Sequence, residues 1–281
     1  MYNLDSYNFK DKKVLLRVDF NVPLSAGTIP TDDTRIRTAL PTIQKILSEG
    51  GSIIILTHRG RPKGQRSDLR SLKHILPMVE KLTGRNIMFC EDVLSEDTVE
   101  IAKNLKPGEI MMLENLRFYQ EELEADEEFA KKLSKLGDVY VNDAFGTAHR
   151  NHASTATIAK YFPYDKMFGY LFESEMKTLG KLVKDAKSPF TLIIGGDKVT
   201  TKISIVEALL PKIDNLLVGG GILYTFAKGK GLEIGDSLLE AEYIDVAKRI
   251  LKKANENNVN IYLAEDCIIA DKHSNDANIE H

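Results

Sequence analysis

Between Lys13 and Val141 short apolar runs alternate with amphipathic segments, and this alternation limits the folds open to the chain. Val14-Leu15-Leu16 with Val18, Ile53-Ile54-Ile55-Leu56, Asn86 to Phe89, Ile110 to Leu113 and Val139-Tyr140-Val141 have the length and composition of strands. Ile36, Leu40, Ile43 and Leu47 recur at helical spacing, behind Thr34 as the expected cap and ahead of Gly50-Gly51 as the stop. Ser71 to Leu82, Asp97 to Leu105 and Phe129 to Leu136 carry the same periodicity. Strands alternating with helices predict a parallel sheet covered on both faces, an α/β fold.

Near Gly169 the pattern changes. Phe172 to Asp185 reads as one longer, charged and apolar helix, ended at Ser188-Pro189. A second α/β unit then opens at Thr191, with further strands at Leu216 to Val218 and Val259 to Leu263 and a helix over Glu242 to Asn255. The expected organisation is an N-terminal domain over 1–168, a connecting helix over 169–187 and a partial second domain over 188–281. About three strands is few for a doubly wound sheet.

With 43% apolar and 28% charged residues, the 281-residue chain has a soluble protein's composition. A net charge of −3 means that any basic site is local, so no nucleic-acid or membrane partner is expected. The polar N-terminus lacks a signal-peptide pattern, and no apolar run approaches membrane-spanning length. Cys90 and Cys267 lack metal-ligand spacing and read as buried thiols of a reducing, cytoplasmic compartment.

Ligands of open parallel sheets bind outside the carboxyl ends of the strands. Those positions hold Asp19, Asn21, His58, Arg61, Asn115, Arg117, Asn142, Asp143, His149, Arg150 and His152, while Arg35 stands at a helix start. Each has a plainer reading: Asp19 and Asn21 as turn caps, His58 as a loop histidine, Arg117 and Arg150 as surface ion-pairing groups. The basic run Arg59, Arg61, Lys63, Arg66 and Arg70 lacks the interleaved aromatics of a nucleic-acid surface. Arginines and histidines gathered at one sheet edge predict a small, multiply charged anion.

A second anion site is legible in Thr191 to Leu210. An apolar strand, Gly195-Gly196 and a following amphipathic segment place free N–H groups at a helix start. If Lys198 and Lys202 are both helical, they share a face and can grip one phosphate. The alternative is an ordinary β-turn-α connection with two solvated lysines.

RVDFNVP (Arg17 to Pro23), DDTRIRTALPTI (Asp32 to Ile43), HRGRPKG (His58 to Gly64), MLENLRFY (Met112 to Tyr119) and DVYVNDAFGTAHRNHAST (Asp138 to Thr155) resemble phosphoglycerate kinase. So do GGDKVTTKI from Gly195 and VGGGILYTF from Val218. The resemblance implies two Rossmann-like parallel-sheet domains facing a cleft, the second incomplete here. It implies an enzyme, a phosphotransferase moving a phosphoryl group between 1,3-bisphosphoglycerate and MgADP to give 3-phosphoglycerate and MgATP. By motif, Asp19, Phe20, Asn21, Arg35, His58, Arg59, Gly60, Arg61, Arg117 and Arg150 would bind the glycerate substrate. Gly196, Asp197, Lys198, Lys202, Gly220 and Gly221 would bind nucleotide, and Arg35, Lys198 and Lys202 would be catalytic. Mg²⁺ would enter with ATP or ADP, with no protein metal site assigned.

Three residues depart from the family pattern. Thr201 stands where many members have a magnesium-ligating Asp, Asp197 where the residue is usually small, and Arg59 where Leu is typical. Members also continue past this chain's last residue. The expected protein is therefore a monomeric kinase, unless a second chain supplies the remainder, or a glycerate-phosphate-binding fragment without turnover. No nucleophile triad or general base is visible, and an attacking carboxylate, ionised at neutral pH, needs neither.

Overall fold

A computed structural model describes residues 3–280 apart from 267 and 273. Two compact units divide the chain, Met1–Lys177 and Thr178–His281. The first is built on β1 (Lys13–Arg17), β4 (Ser52–Leu56), β5 (Ile87–Cys90), β6 (Ile110–Leu113), β7 (Val139–Asn142) and β8 (Lys166–Phe168), with β2 (Leu24–Ser25) and β3 (Ile29–Pro30) forming a small antiparallel hairpin. Its sheet has the order β5-β6-β4-β1-β7-β8, every pair parallel.

Side chains of successive strand residues enter two separate cores, as the pleat requires. Val14, Leu16, Ile53, Ile55, Ile110, Met112, Val139 and Val141 face α1 (Thr34–Ser48) and α2 (Leu76–Thr83). Leu15, Ile54, Leu56, Met111, Leu113 and Tyr140 face α3 (Glu96–Asn104) and α5 (Glu127–Ser134). Burial on both faces explains the unbroken apolar run of β4, where each such side chain contributes roughly 1.5–3 kcal/mol. The chain leaves β1 toward β4 and later returns to β7 on its other side, so the strand order reverses beside β1. Loops diverge at such a reversal and leave a crevice above it.

The helix expected over Ser71 to Leu82 is two pieces. Ser71 caps a 3₁₀ turn, Leu72–His74, and α2 begins at Leu76 with Pro77 in its first turn, where a missing N–H does no harm. At the start of α1 the cap position is Asp33 and not Thr34; no side chain caps the helix there, and Asp32 Oδ1 accepts the Thr34 N–H (2.7 Å) just before it. The short α4 (Gln120–Leu123) and β8 carry too few periodic residues to have been expected.

α6 (Tyr170–Lys184) begins where β8 ends; its first turn is held by Asp143 Oδ1, which accepts the Phe172 N–H (3.0 Å), and by Thr42 Oγ1, which accepts that of Tyr170 (3.0 Å).

The second unit has three parallel strands, β9 (Thr191–Ile194), β10 (Asn215–Val218) and β11 (Asn260–Leu263), in the order β11-β10-β9. They advance in one direction, so right-handed crossovers bring α7 (Ile203–Leu209), α8 (Ile222–Gly229) and α9 (Ile244–Glu256) to one face. There Ile194, Leu216, Val218, Val206, Phe226 and Ile250 form the core. The other face carries Ile193, Leu217 and Tyr262 in register, with Ile193 72% and Tyr262 52% exposed. β12 (Ile269–Ala270) and β13 (Ile279–Glu280) form a small antiparallel ladder. Among the described residues no helix is long and apolar enough to cross a membrane. Cys90 is a buried free thiol, its pKa raised by burial; Cys267 and His273 lie outside the described residues.

Candidate functional site

In the first unit, the loops after β1, β4, β6 and β7, four adjacent strands, carry the residues expected at the anion site. Asp19 is the first anchor. Its Oδ2 pairs with Arg35 Nη1, its Oδ1 accepts the Asn21 N–H (3.2 Å), and Oδ1 lies 3.7 Å from His58 Nε2. The pairing explains how Arg35 stands in the first turn of α1 against the macrodipole. Asn21 Oδ1 accepts the Gly60 N–H (2.9 Å), joining the β1 and β4 loops.

Asn115 does the same between the loops after β4 and β6. Fully buried, its Oδ1 accepts the N–H groups of Arg59 (3.2 Å) and Arg117 (3.1 Å), and its Nδ2 donates to the carbonyls of Arg59 (2.8 Å) and Arg70 (2.9 Å). Arg117 Nη1 then donates to the Gly60 carbonyl (2.8 Å), while its buried Nε has no partner. Burial, followed by the charges of Arg150 and Arg17, pushes Arg117 down to about 10. His152 is pushed down to about 4 by burial and then by Arg117, Arg150 and Arg17. Burial and the charges of Arg17, Arg117, His152 and Arg35 hold His58 far below the ordinary histidine range, so it is neutral. These groups feel one another because one crevice holds them. Arg61 is exposed on the β4 loop, and its side chain makes no hydrogen bond or ion pair among the described residues.

Two expected substrate contacts are turned inward. Phe20 is fully buried in the core, and its N–H donates to Thr57 Oγ1 (3.0 Å). Arg59, 4% exposed, donates from Nη1 to the Ser71 carbonyl and from Nη2 to that of Gly27, each at 3.2 Å. It ties the β2–β3 hairpin to the Ser71 segment and lines a cavity of about 680 Å³ shared with Asn21, Arg35, Gly60 and Arg70. A guanidinium so engaged shapes the wall of that cavity.

Behind the crevice lies a layer that sequence reasoning left unassigned. Arg17, at the end of β1, is fully buried. Its Nε donates to Ser154 Oγ (3.0 Å), Nη1 to the Val18 carbonyl, and Nη2 lies 3.1 Å from His58 Nδ1. Ser154 donates from Oγ to Glu122 Oε1 (2.7 Å) and from its backbone N–H to Glu122 Oε2 (2.8 Å). Arg17 could have been suspected as a charged residue ending an apolar strand; Glu122, among the acidic residues of α4, gave no signal.

In the second unit the glycine turns after β9 and β10 lie against each other. The Gly219 N–H donates to the Ile194 carbonyl (2.9 Å) and that of Ile222 to Gly196 (3.0 Å). A Cβ on Gly220 would lie 2.8 Å from Gly196 N, and Gly220 has φ +64°, so both sterics and backbone favour glycine there. Lys202 Nζ sits 3.9 Å from where a Cβ on Gly196 would be. Lys198 is extended (φ −121°, ψ 123°) and exposed, before a 3₁₀ turn over Val199–Thr201, and α7 starts only at Ile203. The condition for Lys198 and Lys202 to share a helix face, that both be helical, is therefore not met. The turn is fixed instead by Glu240, whose carboxylate accepts the Val199 N–H. Asp197 is exposed, its backbone against Gly221, and the side chain of Thr201 lies outside the described structure. Among the described residues no group of three or more His, Cys, Asp or Glu could hold a metal ion.

A family model, phosphoglycerate kinase, matches residues 4–281. The chain belongs to the phosphoglycerate kinase family. It is 48% identical to phosphoglycerate kinase of Porphyromonas gingivalis, covering 98% of this chain and 71% of that protein. For the Borrelia hermsii protein the identity is 47%, covering 98% and 69%. Among solved structures, phosphoglycerate kinase from Coxiella burnetii has a TM-score of 0.81 at 38% identity, covering 99% of this chain and 70% of that one. The Pyrococcus horikoshii enzyme matches with a TM-score of 0.81 at 31% identity, covering 92% and 67%. The chain thus spans about 70% of the length of these relatives.

Proposed function

We propose that the first unit binds 3-phosphoglycerate and 1,3-bisphosphoglycerate, that the second binds MgATP and MgADP, and that the phosphoryl group passes directly and in line between them. The observation that carries this reading is the convergence of His58, Arg117, His152 and Arg150 from the loops after adjacent strands with Arg35 from the first turn of α1, with a buried Arg117 Nε left without a partner. Arg61, Arg117 and Arg150 take the phosphate end, with His58 as a neutral donor. Asp19 and Asn21 take the hydroxyl and carboxyl region, and Phe20, Arg59 and Gly60 set the shape of the loops that hold them.

The glycerate carboxylate is the nucleophile. It is ionised at neutral pH, so the protein's work is alignment and charge neutralisation and not proton removal. Arg35, Lys198 and Lys202 neutralise charge on the phosphoryl group in flight. The glycine turns of Gly196 and Gly220–Gly221 let backbone approach the nucleotide, and Mg²⁺ arrives as part of that substrate.

Titration calorimetry on the full chain tests the first half. 3-Phosphoglycerate binds, more weakly as salt rises and more weakly in Arg150→Ala. Absence of binding removes the reading. A coupled assay with MgATP and 3-phosphoglycerate tests the second: turnover lost in Lys202→Ala supports it. Binding without turnover leaves a glycerate-phosphate-binding protein.

A further inference from the structure

We propose that Arg17, oriented by Ser154 and Glu122, is a positioning residue that fixes the tautomer of His58 and aims its Nε2–H at the anion site. The inference rests on the proposed glycerate site for its consequence, though not for its structural content. Its basis is a hydrogen-bond chain whose direction the chemistry of each group decides.

A guanidinium can only donate. Arg17 Nη2 lies 3.1 Å from His58 Nδ1, so that nitrogen accepts and carries no proton. A neutral imidazole has one N–H, which must therefore be on Nε2. Nε2 is the atom that faces Asp19 Oδ1 at 3.7 Å. His58 is 2% exposed, and the charged groups around it are Arg17, Asp19, Arg35 and Arg117, more cationic than anionic, with the titratable His152 nearby. A neutral donor is the form such surroundings permit.

The other end of the chain is equally directed. Arg17 Nε donates to Ser154 Oγ, so the serine hydrogen is free to point onward, 2.7 Å from Glu122 Oε1. Glu122 Oε2 accepts the Ser154 N–H (2.8 Å), and the carboxylate is fully buried. Both oxygens accept, which is the pattern of the ionised form; burial raises the Glu122 pKa, and Arg17 and the two Ser154 hydrogen bonds oppose that rise. Glu122 thus balances the buried charge of Arg17 through one hydroxyl, without touching the crevice. Without that carboxylate the guanidinium would have reason to swing toward the site anions and release His58.

Nitrogen-15 NMR of the histidines in the ligand-free full chain tests this directly. The expected spectrum at pH 7 shows His58 with a protonated Nε2 and a bare Nδ1; a protonated Nδ1, or a doubly protonated ring, overturns the proposal. Ser154→Ala, which removes one hydroxyl, is expected to give a mixture of tautomers and about tenfold weaker 3-phosphoglycerate binding, the scale of one lost hydrogen bond to a charged group. Unchanged tautomer and affinity in a folded Ser154→Ala overturn the role of Ser154 and Glu122. Should that variant not fold, the wild-type spectrum still decides. A wild-type chain with the expected tautomer but no affinity for 3-phosphoglycerate refutes the proposed substrate and leaves the tautomer assignment standing.

Discussion

Asn115→Ala is the sharpest test of how the basic crevice is built. Asn115 is fully buried and makes hydrogen bonds to four backbone groups: the N–H of Arg59, the N–H of Arg117 and the carbonyls of Arg59 and Arg70. Each is worth about 1 kcal/mol net, and stranding a buried partner costs about 1–3 kcal/mol. Water entering the vacated space recovers part of this, so a loss of about 3 kcal/mol is expected. With a urea dependence of about 1–3 kcal/mol/M, the unfolding midpoint falls by roughly 1–3 M. The assay is urea denaturation followed by circular dichroism, with amide exchange on β4 and β6 to assign the transition to the first unit. The same bonds register the His58 loop against Arg117, so 3-phosphoglycerate affinity falls at least about tenfold. A midpoint shift below about 0.3 M, or wild-type affinity in the folded variant, would refute the reasoning.

Gly169→Ala places a Cβ 2.3 Å from Asp143 Cγ and 2.4 Å from its Oδ1, the atom that holds the Phe172 N–H; a loss of about 2–4 kcal/mol is expected by chemical denaturation. Gly220→Ala meets Gly196 N at 2.8 Å from a left-handed backbone, and is expected to weaken MgADP binding in calorimetry while the first unit keeps its 3-phosphoglycerate affinity. His152 has a folded pKa of about 4, below the ordinary histidine value, so the unfolded chain binds more protons between those limits. Its contribution is complete above about pH 6.5 and is lost as pH falls toward about 4, so denaturation midpoints at pH 7 and pH 5 should differ less in His152→Gln.

Strand identity was legible in the first unit because burial on both faces makes runs such as Ile53 to Leu56 uniformly apolar. Charged residues just beyond those runs then had to lie at one sheet edge, which is how Asp19, His58, Arg117 and Arg150 were found. What stayed hidden depends on side-chain direction. Phe20 and Asn21 are neighbours in sequence, yet one enters the core and the other joins two loops. Arg59 and Arg61 flank one glycine, yet the first is held by the carbonyls of Ser71 and Gly27 and the second is exposed. Whether Lys198 and Lys202 share a helix face could not be read from their spacing, because Glu240, distant in sequence, takes the Val199 N–H and α7 begins only at Ile203. Glu122 was invisible because its partner Ser154 comes from beyond β7.

The charge arrangement of the crevice argues for the size of its ligand's charge. Arg35 is paired with Asp19, and Arg17 is balanced through Ser154 by Glu122. Arg61, Arg117 and Arg150 form no ion pair among the described residues. Of these, Arg117 is costly to keep charged: burial, followed by the charges of Arg150 and Arg17, depresses its pKa. On the proposed reading an anion relieves that cost, and a phosphate near −2 with a carboxylate at −1 matches those cations in number. A monoanion would leave most of the repulsion in place. Because Arg17 and Arg35 already have their counter-charges, the cations left for the proposed anionic ligand are those at the β4, β6 and β7 loops.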